Sequence, residues 1–535
     1  MSRVLVVGWD GATWQVAERL AREGRLPTLQ ALRSGGAEGV LETVPNMNSA
    51  PAWSTIATGL NPGRHGIFYF NESVPGTYQR RVINAARRTG SSLWRLASEA
   101  GKRVVVVNVP ISYPAEPVNG YLVAGLDTPS KGLAGFTHPQ DLVRRHADLF
   151  DGYTIEPGGP SLMRAGRVAE ARTQLLEVVE GWTGVTERLM EEDWDLVFVV
   201  FTSSDTAQHF FWSPLGMATI DRVYEAQDEA TARLVAKARA TDPDTNVIVL
   251  ADHGGTTNSR GPEFMAIWLE DEGLQTRTQP SAKSRVMGGA FGVVNRTLSR
   301  GQKQALARRF PQLRQKAEAE SRFAGLDWSR TRAYSDGVRD EVQVNLQGRD
   351  PQGTVASLEY QRFVAELKER IDAIRELDSE RPAVASVRHR EEIYDGAFVD
   401  RAPDLTIRWN LGDAFRGFAT RTKAGEQRMR EAAAKPPFQP GGHHPEGMFV
   451  AAGSNVRPGD IRGDLADVTP TILALLGVPV PAGLDGAPLD LLKGVTAEVG
   501  SPEEATPAPA AAGPSGYTAE EEAEIERRLE DLGYI

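Results

Sequence analysis

Apolar residues along the chain alternate between short unbroken runs and longer stretches in which they recur at helical spacing. Val4–Val7, ending in Gly8, has the pattern of a strand buried on both faces. Ala37–Thr43, Arg103–Val107, Asp195–Phe201, Asn246–Leu250 and Gly447–Ala452 read the same way. Between them, Thr13–Glu23, Ser91–Ala100, Val168–Met190, Asp221–Arg239 and Val468–Leu476 read as helices, with Gly101 as a C-cap. This alternation predicts an α/β fold, a mainly parallel central sheet with helices on both faces. From about Thr256 to Pro440 the order breaks. Helical stretches (Gln302–Glu320, Leu358–Glu376) and a β-like stretch (Glu341–Leu346) stand in more polar surroundings and read as an inserted cap.

The expected organisation is a catalytic core at 1–255, a cap region with part of the core at 256–440, and the last part of the core at 441–493. A Pro/Ala-rich linker follows at 494–516, densest over Ser501–Gly516, and then a docking helix at 517–535. Thr518 and Glu521 form a capping box. Ile525, Leu529 and Leu532 share one face, with Tyr534 and Ile535 beyond. A helix this short needs a surface to bury that stripe, on its own subunit or on a neighbour, the second case making a homo-oligomer.

Composition narrows the chemistry. The 535 residues are 41% hydrophobic, which is globular. Sixty basic against 71 acidic side chains give a net charge of −11, so no duplex nucleic acid is expected as partner. Cysteine is absent, which excludes disulfides, thiolate nucleophiles and Cys-ligated metals. No apolar run is long enough for a membrane span, and the first residues do not read as a signal peptide. A cytoplasmic protein with no membrane partner is the expectation.

Three motifs follow predicted strands: Asp10 after VLVVG, Asp205 and His209 in TSSDTAQH, and Asp252 and His253 in ADHGG. Ligands of open α/β sheets bind beyond the carboxyl ends of the strands, so these motifs are predicted at one rim. Asp205 and His209 lie one helical turn apart, on one face. GGHHPEG, with His443 and His444, precedes another strand. A lone Asp after a strand is more often a helix cap than a ligand. Three such motifs in a chain with only 8 His are harder to dismiss. Three Asp and three His fit two divalent ions with an open position on each, the arrangement that serves in-line phosphoryl displacement. His138, His146 and His389 lie in charged stretches and read as solvated surface.

The nucleophile is sought in Pro45–Gly66 (PNMNSAPAWSTIATGLNPGRHG). Pro51 fits a first helical turn and Gly59 a stop, so Ser49 falls at the helix start, where free N–H groups and the dipole favour an anion. A plain Ser cap is the simpler alternative. Ser54 and Thr55 compete but fall inside the helix.

These residues resemble the alkaline phosphatase superfamily, in particular its type I phosphodiesterase/nucleotide pyrophosphatase branch, from residue 3 to about 492. The matching pieces are Ser49 followed by Thr58-Gly59, Pro62 and His65-Gly66-Ile67, the three metal motifs in order, and segments such as DWSRTRAYS, APDLTI and the ending LEDLGYI. The resemblance implies that Asp10, Asp252 and His253 hold one metal beside Ser49, and that Asp205, His209 and His443 hold the other. His443 is preferred to His444 because the family's ligand lies four residues before the Gly that opens the next strand, here Gly447. His65 would be structural. Two departures stand out: Ala52 replaces a phosphate-binding Asn of the nucleotide pyrophosphatases, and Trp53 replaces the Arg of a sulfatase motif. Asn48 and Asn108 are candidates for the missing phosphate contact.

The expected function is therefore metal-dependent cleavage of a small-molecule phosphate ester through a phosphoseryl intermediate. The cofactors would be two divalent ions, zinc first, with manganese or iron as alternatives. A phosphodiesterase is the first reading. A phosphomonoesterase and a phosphotransferase or mutase share its core, and a non-catalytic metal-stabilised binding protein is the rival of another class.

Overall fold

The computed structural model describes residues 2–156, 159–278, 323, 325–377, 379–410, 416–421, 427–431, 439–502, 516–532 and 534. The expected helix Gln302–Glu320 and residues 503–515 of the expected linker lie outside them.

A nine-stranded sheet organises the molecule. Its order is Gly459–Asp464, Ala37–Glu42, Glu446–Ala452, Asn246–Leu250, Val4–Trp9, Leu196–Phe201, Val104–Val109, Gly120–Ala124 and Thr137–His138. All but Glu446–Ala452 and Thr137–His138 run in one direction. Val4–Val7, Leu196–Phe201 and Asn246–Leu250 are wholly buried, as unbroken β-branched runs require when helices cover both faces. The helices Trp14–Arg22, Leu93–Glu99, Val168–Leu189, Met217–Thr241 and Val468–Leu476 match the periodic stretches.

Direction is what the hydrophobic pattern did not carry. Glu446–Ala452 is antiparallel to both of its neighbours, with Phe449 opposite Leu250 and Gly447 opposite Leu41. A reversed strand begins at the rim where parallel strands end. His443, which precedes its strand, therefore reaches the same rim as Asp10, Asp205 and Asp252, which follow theirs. The residues just before it, Gly441–His444, form a hairpin with Gly254–Thr257 in which Gly255 faces His443 and Thr257 faces Gly441. The cap is thus inserted between the two arms of one hairpin.

The cap has its own core. A four-stranded sheet, Ala333–Tyr334, Glu341–Val344, Leu405–Trp409 and Val384–His389, packs with helices Gly261–Asp271 and Tyr360–Asp372 around Phe264, Trp268, Leu367 and Ile407. The second helix is shorter than the expected Leu358–Glu376, since Arg375–Glu376 turns into a strand. His389, expected at the solvated surface, is buried: Tyr360 Oη lies 3.0 Å from its Nε2 and Glu392 completes a capping box with it. His138 and His146 are half-buried.

Helix Ala519–Leu532 docks on its own chain. Ile525, Leu529 and Leu532 join the main core. Arg528 donates to the carbonyls of Leu126, Thr128 and Pro129, at the carboxyl end of strand Gly120–Ala124, and pairs with Glu156 at 2.9 Å. Tyr517 stacks on Tyr113 and donates to the Asp127 carbonyl at 2.6 Å. The expected capping box is present between Thr518 and Glu521. Leu529 is fully buried. Leu529→Ala is expected to cost about 2–5 kcal/mol of docking, read as faster hydrogen exchange across 519–532. Unchanged exchange there would show that the stripe does not hold the helix.

Candidate active site

Helix Ser49–Thr58 starts at Ser49. Asn48 is its N-cap, accepting from Ala50 N at 3.2 Å, and Gly59 ends it at φ 69°. Trp53, four positions after Ser49 and so on the same face, reaches back over strand Val4–Trp9. There, Gly8 is required, since a Cβ would lie 2.5 Å from the Trp53 ring. The Trp53 indole N–H donates to Asp10 Oδ2 at 2.9 Å. Helix Ser203–Phe211 carries Asp205 and His209 on one face, as their spacing predicts.

Each carboxylate has one oxygen held by a protein donor and the other directed into the site. Asp10 Oδ2 takes the Trp53 bond. Asp252 Oδ1 accepts from Gly11 N at 3.1 Å, and Asp205 Oδ2 from the Tyr534 hydroxyl at 2.6 Å. The opposite oxygens, Asp10 Oδ1 and Asp252 Oδ2, are buried without a hydrogen-bond partner. They lie 3.8 Å and 3.5 Å from His253 Nε2, which is also 3.1 Å from Ser49 Oγ.

The second group is Asp205 Oδ1, His209 Nε2 and His443 Nε2. Their separations are 3.3, 3.5 and 2.9 Å. Ligands 2.0–2.1 Å from one ion in a tetrahedron stand about 3.3–3.4 Å apart, so this triangle has the size of one face of a metal site. Asp205 also lies within reach of Asp10 and His253, between the two groups.

The imidazoles are oriented alike. His209 Nδ1 faces the Gly441 carbonyl, His443 Nδ1 that of Met47, and His253 Nδ1 that of Gly254. A carbonyl only accepts, so each Nδ1 carries a proton and each Nε2 turns a lone pair toward the cluster. Two Nε2 atoms at 2.9 Å need a cation between them, a metal ion or a proton; burial works against a proton on His209, but Asp205 more than offsets it and raises that pKa. The unpartnered carboxylate oxygens and the Nε2 donor set both fit divalent cations. His444 turns away: its Nδ1 accepts from Glu446 N at 3.1 Å.

Electrostatics agree with that fit. Burial, and then the charges of Asp252 and Asp205, hold Asp10 well above the usual carboxylate range. Burial pushes Asp252 up to about 7 and His253 down to about 3. Burial also works against ionised Asp205, but His209 and His443 more than offset it and keep that carboxyl well below its ordinary value. Buried acids that resist ionisation beside an imidazole that resists protonation form a site whose charge balance a bound cation reverses.

The remaining candidates have other places. Asn48 serves as the helix cap. Asn108 is fully buried at φ 61°, its amide nitrogen donating to the Val200 carbonyl at 2.8 Å, and so clips two strands together. Ser54 and Thr55 are turned from the site, Ser54 to the Ala50 carbonyl and Thr55 to His65. Trp53 and Tyr534 were missed as site residues in the sequence reading. The spacing of Trp53 from Ser49 is a usable signal, whereas Tyr534 carries none beyond the apolar stripe before it.

A largely parallel sheet carries a hydroxyl-bearing helix start and an Asp/His cluster at its carboxyl rim, and the family that the sequence matches makes the chain a phosphoester hydrolase of the alkaline phosphatase superfamily. Within that class, the model of the type I phosphodiesterase / nucleotide pyrophosphatase family matches residues 4–427, and the chain belongs to this family. No curated protein sequence matches the chain. Among solved structures, the fold is similar to phosphonoacetate hydrolase from Sinorhizobium meliloti 1021 in complex with phosphonoacetate. Identity is 16% and the TM-score 0.52, over 89% of this chain and 95% of that one. The same enzyme with phosphonoformate gives 15% and 0.53 over the same shares. Murine ectonucleotide pyrophosphatase / phosphodiesterase 5 is more distant in shape, at 13% and 0.47 over 90% and 96%.

His65 stands outside the cluster, as the family motif implies. It is fully buried, its Nδ1 accepting from Ile67 N at 3.1 Å and its Nε2 lying 3.0 Å from Thr55 Oγ1. Burial, then the Arg88 charge, lowers its pKa to about 3. Below about pH 6.5 the unfolded chain takes up a proton that the folded protein refuses. The contribution of His65 to stability is therefore whole above that pH and is lost as pH falls toward 3, at up to about 1.4 kcal/mol per pH unit. Between pH 7 and 5 the melting temperature should fall less in His65→Gln than in the wild type. Equal falls would assign the acid lability to other groups.

Proposed function

We propose that the protein is a two-metal phosphodiesterase in which Ser49 is the nucleophile. The observation that carries this reading is the pair of facing Nε2 atoms of His209 and His443 at 2.9 Å, set beside two unpartnered carboxylate oxygens around the Ser49 hydroxyl. Asp10, Asp252 and His253 would hold one cation next to Ser49, and Asp205, His209 and His443 the other, with zinc first and manganese or iron as alternatives. When bound, the pair would neutralise the phosphate oxygens and lower the pKa of the serine hydroxyl and of the attacking water.

Ser49 Oγ, having lost its proton to solvent, forms a bond to phosphorus while the ester P–O bond opposite breaks and the leaving alcohol takes a proton from solvent. Water then attacks the phosphoseryl group in line and gives up a proton, the Ser49 Oγ–P bond breaks, and Ser49 leaves reprotonated beside the phosphate product. The position of Ser49 at the first residue of its helix places the transferring anion on the favourable end of the helix dipole. In this reading no general base is required from the protein, because the bound cations would lower the pKa of the serine hydroxyl and of water, and the His253 Nε2 that lies 3.1 Å from Ser49 Oγ would be a metal ligand.

A cavity of about 510 Å³ supports the diester reading. It lies between core and cap, lined by Phe68, Tyr69 and Tyr78 on one side and by Tyr334, Arg349 and Arg401 on the other. Its lining includes no residue of the Asp/His cluster; its link to the nucleophile loop is the Asn46 amide, which donates to the carbonyl of the lining residue Phe68. The lining is aromatic and of mixed charge, with Glu72, Glu341, Asp350 and Asp400 beside its arginines, and a chamber of this size has room for the second substituent of a phosphodiester, which a monoester lacks.

Ser49→Ala is expected to lower turnover of bis-p-nitrophenyl phosphate at least about a thousandfold, with Ser54→Ala remaining active. The reverse pattern would move the nucleophile. Faster hydrolysis of p-nitrophenyl phosphate than of the diester by the wild type would favour a monoesterase. Elemental analysis should find two ions per chain in unstripped protein, one in His443→Ala and two in His444→Ala. If His444→Ala is the variant that loses an ion, the ligand assignment is off by one residue.

A further inference from the structure

Tyr534 lies in sequence far from every other residue of the site, yet its hydroxyl is 2.6 Å from Asp205 Oδ2. The ring is buried, packed on Phe70 at 4.9 Å between centroids and set edge-on to His209 at 6.3 Å. It is not placed there by a loose tail. Tyr534 N donates to the Leu529 carbonyl at 2.9 Å, Gln439 donates to the Leu532 carbonyl at 3.0 Å, and Arg164 pairs with Asp531. Together with the Arg528 and Tyr517 contacts, these fix the end of the helix against the rim.

The bond repeats a pattern. Asp10 has one oxygen pinned by Trp53, and Asp252 has one pinned by Gly11 N. Asp205 has one pinned by Tyr534, and in each case the second oxygen faces the cluster. A carboxylate rotates about its Cβ–Cγ bond, and a donor on the outer oxygen fixes that rotation before a metal binds. Outer partners of this kind tune ligand orientation and metal affinity.

We propose that Tyr534 is a positioning residue for the metal site of Asp205, His209 and His443, and that helix Ala519–Leu532 exists in part to deliver it. The inference rests on the two-metal reading. It assigns to the docked tail a role in completing the site rather than in covering it. Asp205 also lies between the two groups, so the hydroxyl sets the orientation of the one carboxylate that reaches both.

The test uses the full chain, stripped of metal and titrated with Zn²⁺ by calorimetry. The wild type should take up two ions. Tyr534→Phe keeps the ring and loses the hydroxyl. It should weaken one of the two sites by about ten- to a hundredfold and leave the other within error, with the melting temperature of the metal-free protein unchanged. Leu529→Ala loosens the helix that delivers the hydroxyl and should weaken the same site by no more than Tyr534→Phe does. Loss of affinity in Leu529→Ala with wild-type affinity in Tyr534→Phe would mean that packing alone matters, and would overturn the proposal. So would wild-type affinity at both sites in Tyr534→Phe, or unchanged affinity with faster turnover, which would make the tail a plug. A wild type that binds no ion pair at all would bring down the two-metal reading itself, a result distinct from any of these.

Discussion

Three carboxylates, Asp10, Asp205 and Asp252, are buried around one small volume, where burial and the neighbouring charges make Asp10 and Asp252 resist ionisation, while His209 and His443 hold Asp205 ionised. Hydrogen-bond donors answer the outer oxygens of all three. An indole, a backbone amide and a phenol each take one oxygen, leaving the opposite oxygens and three imidazole lone pairs as a converging set. Much of the fold serves that arrangement. Four strand ends must meet at one rim, Gly8 must admit Trp53, and one strand must run backwards to bring His443 from its amino-terminal side.

The unbroken β-branched runs were legible as strands because burial on both faces leaves no place for a polar residue to alternate. The convergence of the Asp and His motifs was legible for a related reason: they stand at strand ends, and strand ends can be read from where the apolar run stops. Direction was not legible, since a buried run such as Phe449–Ala452 looks the same read either way. His389 was misread because its charged neighbours dominate the local pattern. Its burial depends on Tyr360 and on the fold of the cap, which no local window contains. Tyr534 was placed on the docking helix but not in the site, because the contact spans the length of the chain and has no spacing to betray it. Trp53 was noted only as a departure from a sulfatase motif. The departure is itself informative, as the indole at this position is a donor committed to Asp10.

The buried polar contacts divide into two kinds. Those at the rim leave half of each ligand free, and so store binding capacity. Those at the tail and in the cap are closed circuits: Arg528 on three carbonyls, or Asp404 between Arg349, Arg390 and Tyr360. The closed contacts fix position, and the half-open ones are where chemistry can enter. A buried acid alone does not mark the site. Asp404 is as buried as Asp10, but its cationic neighbours hold it ionised, with no capacity left over.

The hairpin between Gly254–Thr257 and Gly441–His444 has a consequence for how such a protein diversifies. The entire cap leaves the core at one arm and returns at the other, with Thr257 directly opposite Gly441. In topological terms the cap is an oversized loop, and its two attachment points stay paired whatever lies between them. A different cap could be grafted at this joint, or a short turn closed across it, without altering the path of any strand in the main sheet. The joint adjoins His253 on one side and contains His443 on the other, whose rings stack at 3.9 Å. The cap can thus be exchanged as a cassette while the Asp and His side chains at the rim keep their spacing.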